Sequence, residues 1–148
     1  MIRMSKLTDY AVVLLAHLAR GERTLTAQEL AAQSKVPLPT VSKLCKELSK
    51  VGILVSHRGR HGGYGLARPP ERISVAEVVE ALEGPIGLTD CVTPGAHACD
   101  LASDCPAKAT MDPVSRAIHG ALQNVPLSSL APFRLAAPAA RAPLPVVE

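Results

Sequence analysis

Aromatic side chains are nearly missing from this chain: among 148 residues there is no Trp, and only two Tyr and one Phe occur. A core must therefore come from Leu, Val, Ile and Ala, as in small helical proteins, and so thin a core gains from dimerisation. Long apolar runs are missing too. Lys6 and Asp9 interrupt the first candidate for a signal peptide, and no stretch approaches the roughly 20 apolar residues of a membrane span. The expectation is a cytoplasmic protein with no membrane partner. Catalytic signatures are equally scarce: there is no Walker-type glycine loop, no Gly-x-Ser-x-Gly elbow and no His–carboxylate pair at telling spacing, so the chain does not read as an enzyme. Finally, no Lys or Arg occurs from Ile73 to Ala107, which holds six acids, whereas Lys35 to Arg72 carries eight Lys or Arg against Glu47 and Glu71. The formal net charge of +3 hides this division. The basic half can face a polyanion, and the acidic half would repel one.

What is present reads as a succession of short helices. Ser5 can cap a helix whose stripe is Leu7, Ala11, Leu14, Leu15 and Leu18, ending at Gly21. Thr26 and Glu29 form a capping-box pair opening a second helix, AQELAAQ. Pro39 suits the first position of a third, with Val41, Leu44, Cys45, Leu48 and Val51 inward and Gly52 as its stop. Its other face carries Thr40, Ser42, Lys43, Lys46 and Lys50. A short helix, a brief turn and a second helix with small polar residues at its start is the helix-turn-helix pattern, with Pro39 to Val51 as the recognition helix. Ile53 to His57 and Tyr64 to Ala67 then read as two strands joined by a glycine-rich turn, a wing. Its tip sets Arg58, Arg60 and His61 among glycines, which lets the backbone approach phosphates and a guanidinium enter a narrow minor groove. The DNA-binding set is thus Pro39, Thr40, Ser42, Lys43, Lys46, Arg58, Arg60 and His61. A merely solvated basic face is the plainer alternative for the helix pair taken alone.

Ser74 and Glu77 open another capped helix, VAEVVEALE, with Val75, Val78, Val79 and Leu82 inward. Ser103 or Asp104 can cap a last helix from Pro106, which Pro113 should kink or restart with Asp112 as the new cap. Its stripe of Val114, Ala117, Ile118, Ala121, Leu122 and Val125 is either a dimer seam or a face packed on the first helix.

Between the last two helices lies DCVTPGAHACDLASDCP, Asp90 to Pro106, with three of the four cysteines, three aspartates and no Lys or Arg. Soft thiolates in so irregular a loop suit an iron-sulfur cluster or another thiophilic metal. Zinc is the rival metal, although no C-x-x-C pair occurs. A metal-free thiol switch is the other rival. Cys45, on an apolar stripe, reads as a core residue, and His17 and His119 as isolated surface or partly buried histidines.

The runs KLTDYAVVLLAHLA, VSKLCKELSKVGIL, RGRHGGYGLARP and ISVAEVVEALEGP, with the cysteine trio, resemble in order the IscR-like winged-helix regulators. The likeness is greatest to the branch that controls SUF-type iron-sulfur assembly genes, and it covers roughly residues 1–131. It implies a homodimer crossing long C-terminal helices, bound to double-stranded DNA, with an iron-sulfur cluster held by Cys91, Cys99 and Cys105. The 2Fe-2S form is preferred over 4Fe-4S. The histidine that serves as fourth ligand in the best-known member is replaced by Lys108, which cannot ligate. A nitric-oxide-sensing relative uses a first-helix aspartate donated by the partner subunit, and Asp9 matches it; His97 is the local competitor. The family's promoter-discriminating glutamate is Ser42 here, which implies a different promoter preference. The expected architecture is mainly α with a small β-hairpin wing. A winged helix-turn-helix DNA-binding domain takes residues 1–84, a cysteine-rich cluster loop 85–105, a dimerisation helix region 106–131 and a flexible Pro/Ala-rich tail 132–148. The expected function is a transcription regulator, a repressor whose promoter affinity follows the cluster. The alternatives are a cluster-free thiol- or zinc-responsive repressor and a cluster-carrying assembly protein.

Overall fold

The computed structural model describes residues 3–21, 24–59, 62–93, 95, 99–100 and 103–130. Arg60, His61, His97 and the tail lie outside the described residues.

Helix α1 spans Lys6–Ala19 and is capped by Ser5, whose Oγ accepts the Thr8 N–H at 3.2 Å. Its buried face is Thr8, Ala11, Leu14, Leu15 and Leu18, whereas Leu7, expected inward, is 36% exposed. Thr8 takes that place because its hydroxyl is satisfied: it donates to Glu83 and lies 3.1 Å from Ser5 Oγ.

Helix α2, Ala27–Ser34, opens with the reciprocal capping box of Thr26 and Glu29. It ends at Lys35, whose left-handed φ of 61° swings the chain into Val36 and Pro37. Helix α3, Leu38–Lys50, follows with Pro39 in its first turn, where the missing N–H breaks no helical bond. Val41, Leu44, Cys45 and Leu48 are sealed in the core, while Ser42, Lys43, Lys46 and Lys50 face outward. Val51, expected to complete the inward stripe, is 52% exposed, because the helix stops at Lys50 and the chain turns away through Gly52.

Strands β1, Leu54–His57, and β2, Gly63–Leu66, pair antiparallel with Leu54 opposite Leu66 and Ser56 opposite Tyr64. A further segment joins them. Leu25, just ahead of α2, exchanges both backbone hydrogen bonds with Tyr64, at 3.0 and 2.8 Å. Gly63 follows from that contact, since a Cβ there would lie 2.7 Å from the Leu25 carbonyl carbon and oxygen. A Cβ at Gly62 would meet the His57 carbonyl oxygen at 2.5 Å.

Helix α4, Val75–Glu83, starts at the Ser74–Glu77 capping box and lays Val75, Ala76, Val78 and Val79 inward, packing on α1 and α3. Arg68 pairs with Glu77 and donates to the Arg72 carbonyl at 3.1 Å, fixing the link from hairpin to helix. Helix α5 is Lys108–Gln123, starting two residues after Pro106, and neither Ser103 nor Asp104 caps it. Nor does Pro113 restart it. The helix runs on unbroken, with both Pro113 and Ala109, whose carbonyl loses its bond, exposed to water. Asp112 pairs instead with Arg116 at 2.9 Å.

Helix α5 packs against α4, and the segment beyond it returns to α1. The Leu127 N–H donates to the Ile73 carbonyl at 2.7 Å, the Val75 N–H to the Val125 carbonyl at 2.9 Å, and Leu127 is fully buried in the core. Of the α5 stripe, Val114, Ala117 and Ala121 stay exposed and Ile118 and Leu122 are half-buried. Among the described residues, no helix is long and apolar enough to cross a membrane.

Candidate nucleic-acid interface and cysteine segment

Core packing of α3 through Val41, Leu44, Cys45 and Leu48 leaves its opposite face free, so burial on one side positions chemistry on the other. Pro39, Ser42, Lys43 and Lys46 are exposed and Thr40 is half-buried. Lys50 is ion-paired with Glu47 at 3.0 Å, which lowers its call on a phosphate. In the hairpin, strand alternation and the Ser56–Tyr64 pairing put those two side chains on the face shared with Leu54 and Leu66. The result is a groove of about 450 Å³ between α3 and the hairpin, lined by Ser42, Lys46, Ser49, Lys50, Ser56 and Tyr64. Four hydroxyls and the Lys46 ammonium in one groove, with Lys50 already paired to Glu47, suit an anion. Ser49 Oγ is buried there with no hydrogen-bond partner among the described residues. Arg58 follows β1 at the start of the hairpin loop and is exposed.

The structure therefore brings Ser42 and Lys46 of the expected set beside the hairpin. Ser49, Ser56 and Tyr64 were missed. Strand alternation could have flagged Ser56 and Tyr64, but only the register places them opposite α3.

Cys91, Cys99 and Cys105 are free thiols, all half-buried, and Cys45 is fully buried. Burial pushes the Cys45 thiol up to about 11, as suits an inert core residue. Among the described residues, no three His, Cys, Asp or Glu side chains gather where they could hold a metal ion. Asp9 is exposed in the first turn of α1 and is not gathered with the three cysteines, and Lys108 is the exposed first residue of α5. Three unpaired thiols remain a donor set that fits an iron-sulfur cluster in kind. Cys91 has Sγ 3.2 Å from Thr89 Oγ1. His119, read as isolated, has Nε2 3.3 Å from Glu80 Oε1, a link between α5 and α4. His17 is held below the usual imidazole range, first by burial and then by Arg20.

A helix-turn-helix followed by a two-stranded hairpin, with the basic face of its second helix turned outward, defines a winged-helix transcriptional regulator. Residues 4–132 match the Rrf2 model, described as an iron-dependent transcriptional regulator, and the chain belongs to the Rrf2 family. It is 31% identical over 132 residues to the HTH-type transcriptional repressor NsrR of Streptomyces coelicolor, covering 87% of this chain and 88% of that protein. Among solved structures it resembles CymR, the global cysteine regulator of B. subtilis, with a TM-score of 0.72 and 25% identity over 88% of this chain and 97% of that one. It also resembles IscR of T. potens, with a TM-score of 0.66 and 26% identity over 87% of this chain and 85% of that one.

Proposed function

We propose that the protein is a homodimeric repressor that binds operator DNA through α3 and the wing, and whose cysteine segment holds an iron-sulfur cluster that sets its affinity. In this reading Pro39, Thr40, Ser42, Lys43 and Lys46 face the major groove. Arg58, with Arg60 and His61, reaches the adjacent minor groove. The observation that carries the DNA part is the groove shared by α3 and the hairpin, which sets Ser42 and Lys46 beside Ser56 and Tyr64. Phosphate contacts there fix the register of the duplex, and Ser42 is free to meet a base edge.

Cys91, Cys99 and Cys105 would hold the cluster, with 2Fe-2S preferred, and Asp9 would complete it across a dimer whose seam is the exposed stripe of α5. When bound, the cluster supplies a thiolate-held iron centre sensitive to iron supply, oxidants or nitric oxide. The chain's own part is to place three thiols on the segment leading into α5. Control of SUF-type assembly genes is the regulon this reading carries. A second reading, a cluster-free repressor responding through its thiols, is favoured by the lack of a gathered three-donor group among the described residues.

Two measurements test the proposal. Protein purified without oxygen is analysed for visible absorption, iron and sulfide, beside Asp9→Ala and His97→Ala variants. Operator and random duplexes are then compared by fluorescence anisotropy, with a preference of about a thousandfold or more expected. Colourless, iron-free protein that keeps this preference moves the reading to the thiol switch. Equal affinity for both duplexes ends the operator-binding reading and leaves a docking protein.

A further inference from the structure

The route from the cysteine segment to α5 passes through one side chain. Among the described residues of α5, Ser115 alone is buried, at 5% exposure, and its Oγ accepts the Leu88 N–H at 3.1 Å. A buried helix serine commonly bonds its own helix, four residues back. Here it serves a loop amide 27 residues away in sequence. Leu88 leads directly into a closed turn. The N–H groups of Val92 and Thr93 both donate to the Thr89 carbonyl, each at 3.1 Å, and Thr93 Oγ1 donates to it at 2.8 Å. Gly87 packs so closely on Thr93 that a Cβ there would lie 2.0 Å from Thr93 Oγ1. Cys91 sits inside this turn, with Sγ 3.2 Å from Thr89 Oγ1.

We propose that Ser115 is a positioning residue that ties the Cys91 turn to α5, so that the state of this thiol is felt by the helix. The inference rests on reading the cysteine segment as the sensory element, and it adds to that reading a mechanical route through a named hydrogen bond. The closed turn makes Leu88 to Thr93 move as one piece, and the Ser115 bond makes that piece move with α5. Allosteric coupling requires such a shared element, because two sites influence one another only through a structure that both bias.

The test uses full-length, iron-free, reduced protein. Alkylation of each thiol by iodoacetamide is followed by site-resolved mass spectrometry in wild type, Ser115→Ala and Ser115→Thr. Ser115→Ala is expected to raise the Cys91 rate about fivefold, the factor that losing one hydrogen bond of ordinary net strength gives a local opening equilibrium. Cys99 and Cys105 should keep their rates, and Ser115→Thr, which retains the acceptor, should keep the wild-type rate at Cys91. An unchanged Cys91 rate overturns the proposal, as does an equal rise at all three thiols. Should Ser115→Ala fail to fold, amide exchange in wild type decides: a protected Leu88 amide supports the tie and an unprotected one refutes it. All readings are made without metal, so the iron and sulfide analysis fails or succeeds independently of them.

Discussion

Glu83 stands at the C-terminal end of α4, where a negative charge is unfavourable for its own helix, yet it serves the start of another. Its Oε1 accepts the Ser5 N–H at 2.8 Å and the Thr8 hydroxyl, and these bonds, the Thr8 one foremost, hold its carboxyl below the usual range. Glu83→Ala removes both bonds and a charge at the positive end of α1. Hydrogen bonds to a charged group contribute about 1.5–3 kcal/mol, and exposure of the Glu83 side chain argues for the lower end, about 1.5 kcal/mol. The charge at the helix start adds about 0.5 kcal/mol. A loss of about 2 kcal/mol corresponds to a fall of about 8 °C in Tm for a domain of this size. A double-mutant cycle with Thr8→Val isolates the pair, with an expected coupling of about 1 kcal/mol. Because the folded pKa lies below the unfolded one, the contribution is complete above the unfolded value and is lost as pH falls through the folded value. Thermal unfolding at pH 7 and pH 3 should therefore show the gap between wild type and Glu83→Ala shrinking in acid. Equal gaps at both pH values, or none at pH 7, would refute the reasoning.

Lys46→Ala should weaken binding to operator and random duplexes alike and reduce the slope of log affinity against log salt by about 1, read from anisotropy titrations. Gly63→Ala drives a methyl into the Leu25 backbone and should cost about 2 kcal/mol or more in urea unfolding, whereas Gly52→Ala, with open space around it, should cost less. Cys45 should resist alkylation in the native state at pH 8, since burial pushes its thiol up to about 11, and its labelling should appear only with unfolding. Replacing Cys91, Cys99 and Cys105 together by Ser should leave the circular dichroism spectrum and Tm within about 1 °C of the iron-free wild type, because none of the three belongs to the core; a large loss of Tm would make them structural.

The helix starts at Ser5, Thr26 and Ser74 were legible because a cap is local chemistry, a hydroxyl three residues before the amide it accepts. Burial of Cys45 on α3 and the outward face of its lysines followed from period alone. The exchange of Leu7 for Thr8 did not, because periodicity counts apolar residues and the buried Thr8 hydroxyl is satisfied in part by Glu83, 75 residues away. The same holds for Leu25 on Tyr64 and Leu127 on Ile73, which are backbone pairings between distant segments with no pattern of their own. At Pro113 a helix-breaking rule met an exposed position where water takes the freed carbonyl. The α3 side of the groove was readable for the same local reasons, but the placing of Ser56 and Tyr64 opposite it, beside Ser49, needed the fold.

The return of the chain at Leu127 gives α5 a fulcrum. Backbone bonds to Ile73 and Val75 pin the far end of the helix to the core, while its near end joins Cys105 through only two residues. Sixteen residues at 1.5 Å each make an arm of about 24 Å. A displacement of about 3 Å at the cysteine end would swing such an arm through about 7°. With its far end pinned to the core and its near end reaching the thiols, the helix has the proportions of a lever, and under the coupling proposed for Ser115 a rearrangement at the cysteines would become a rotation of its exposed stripe.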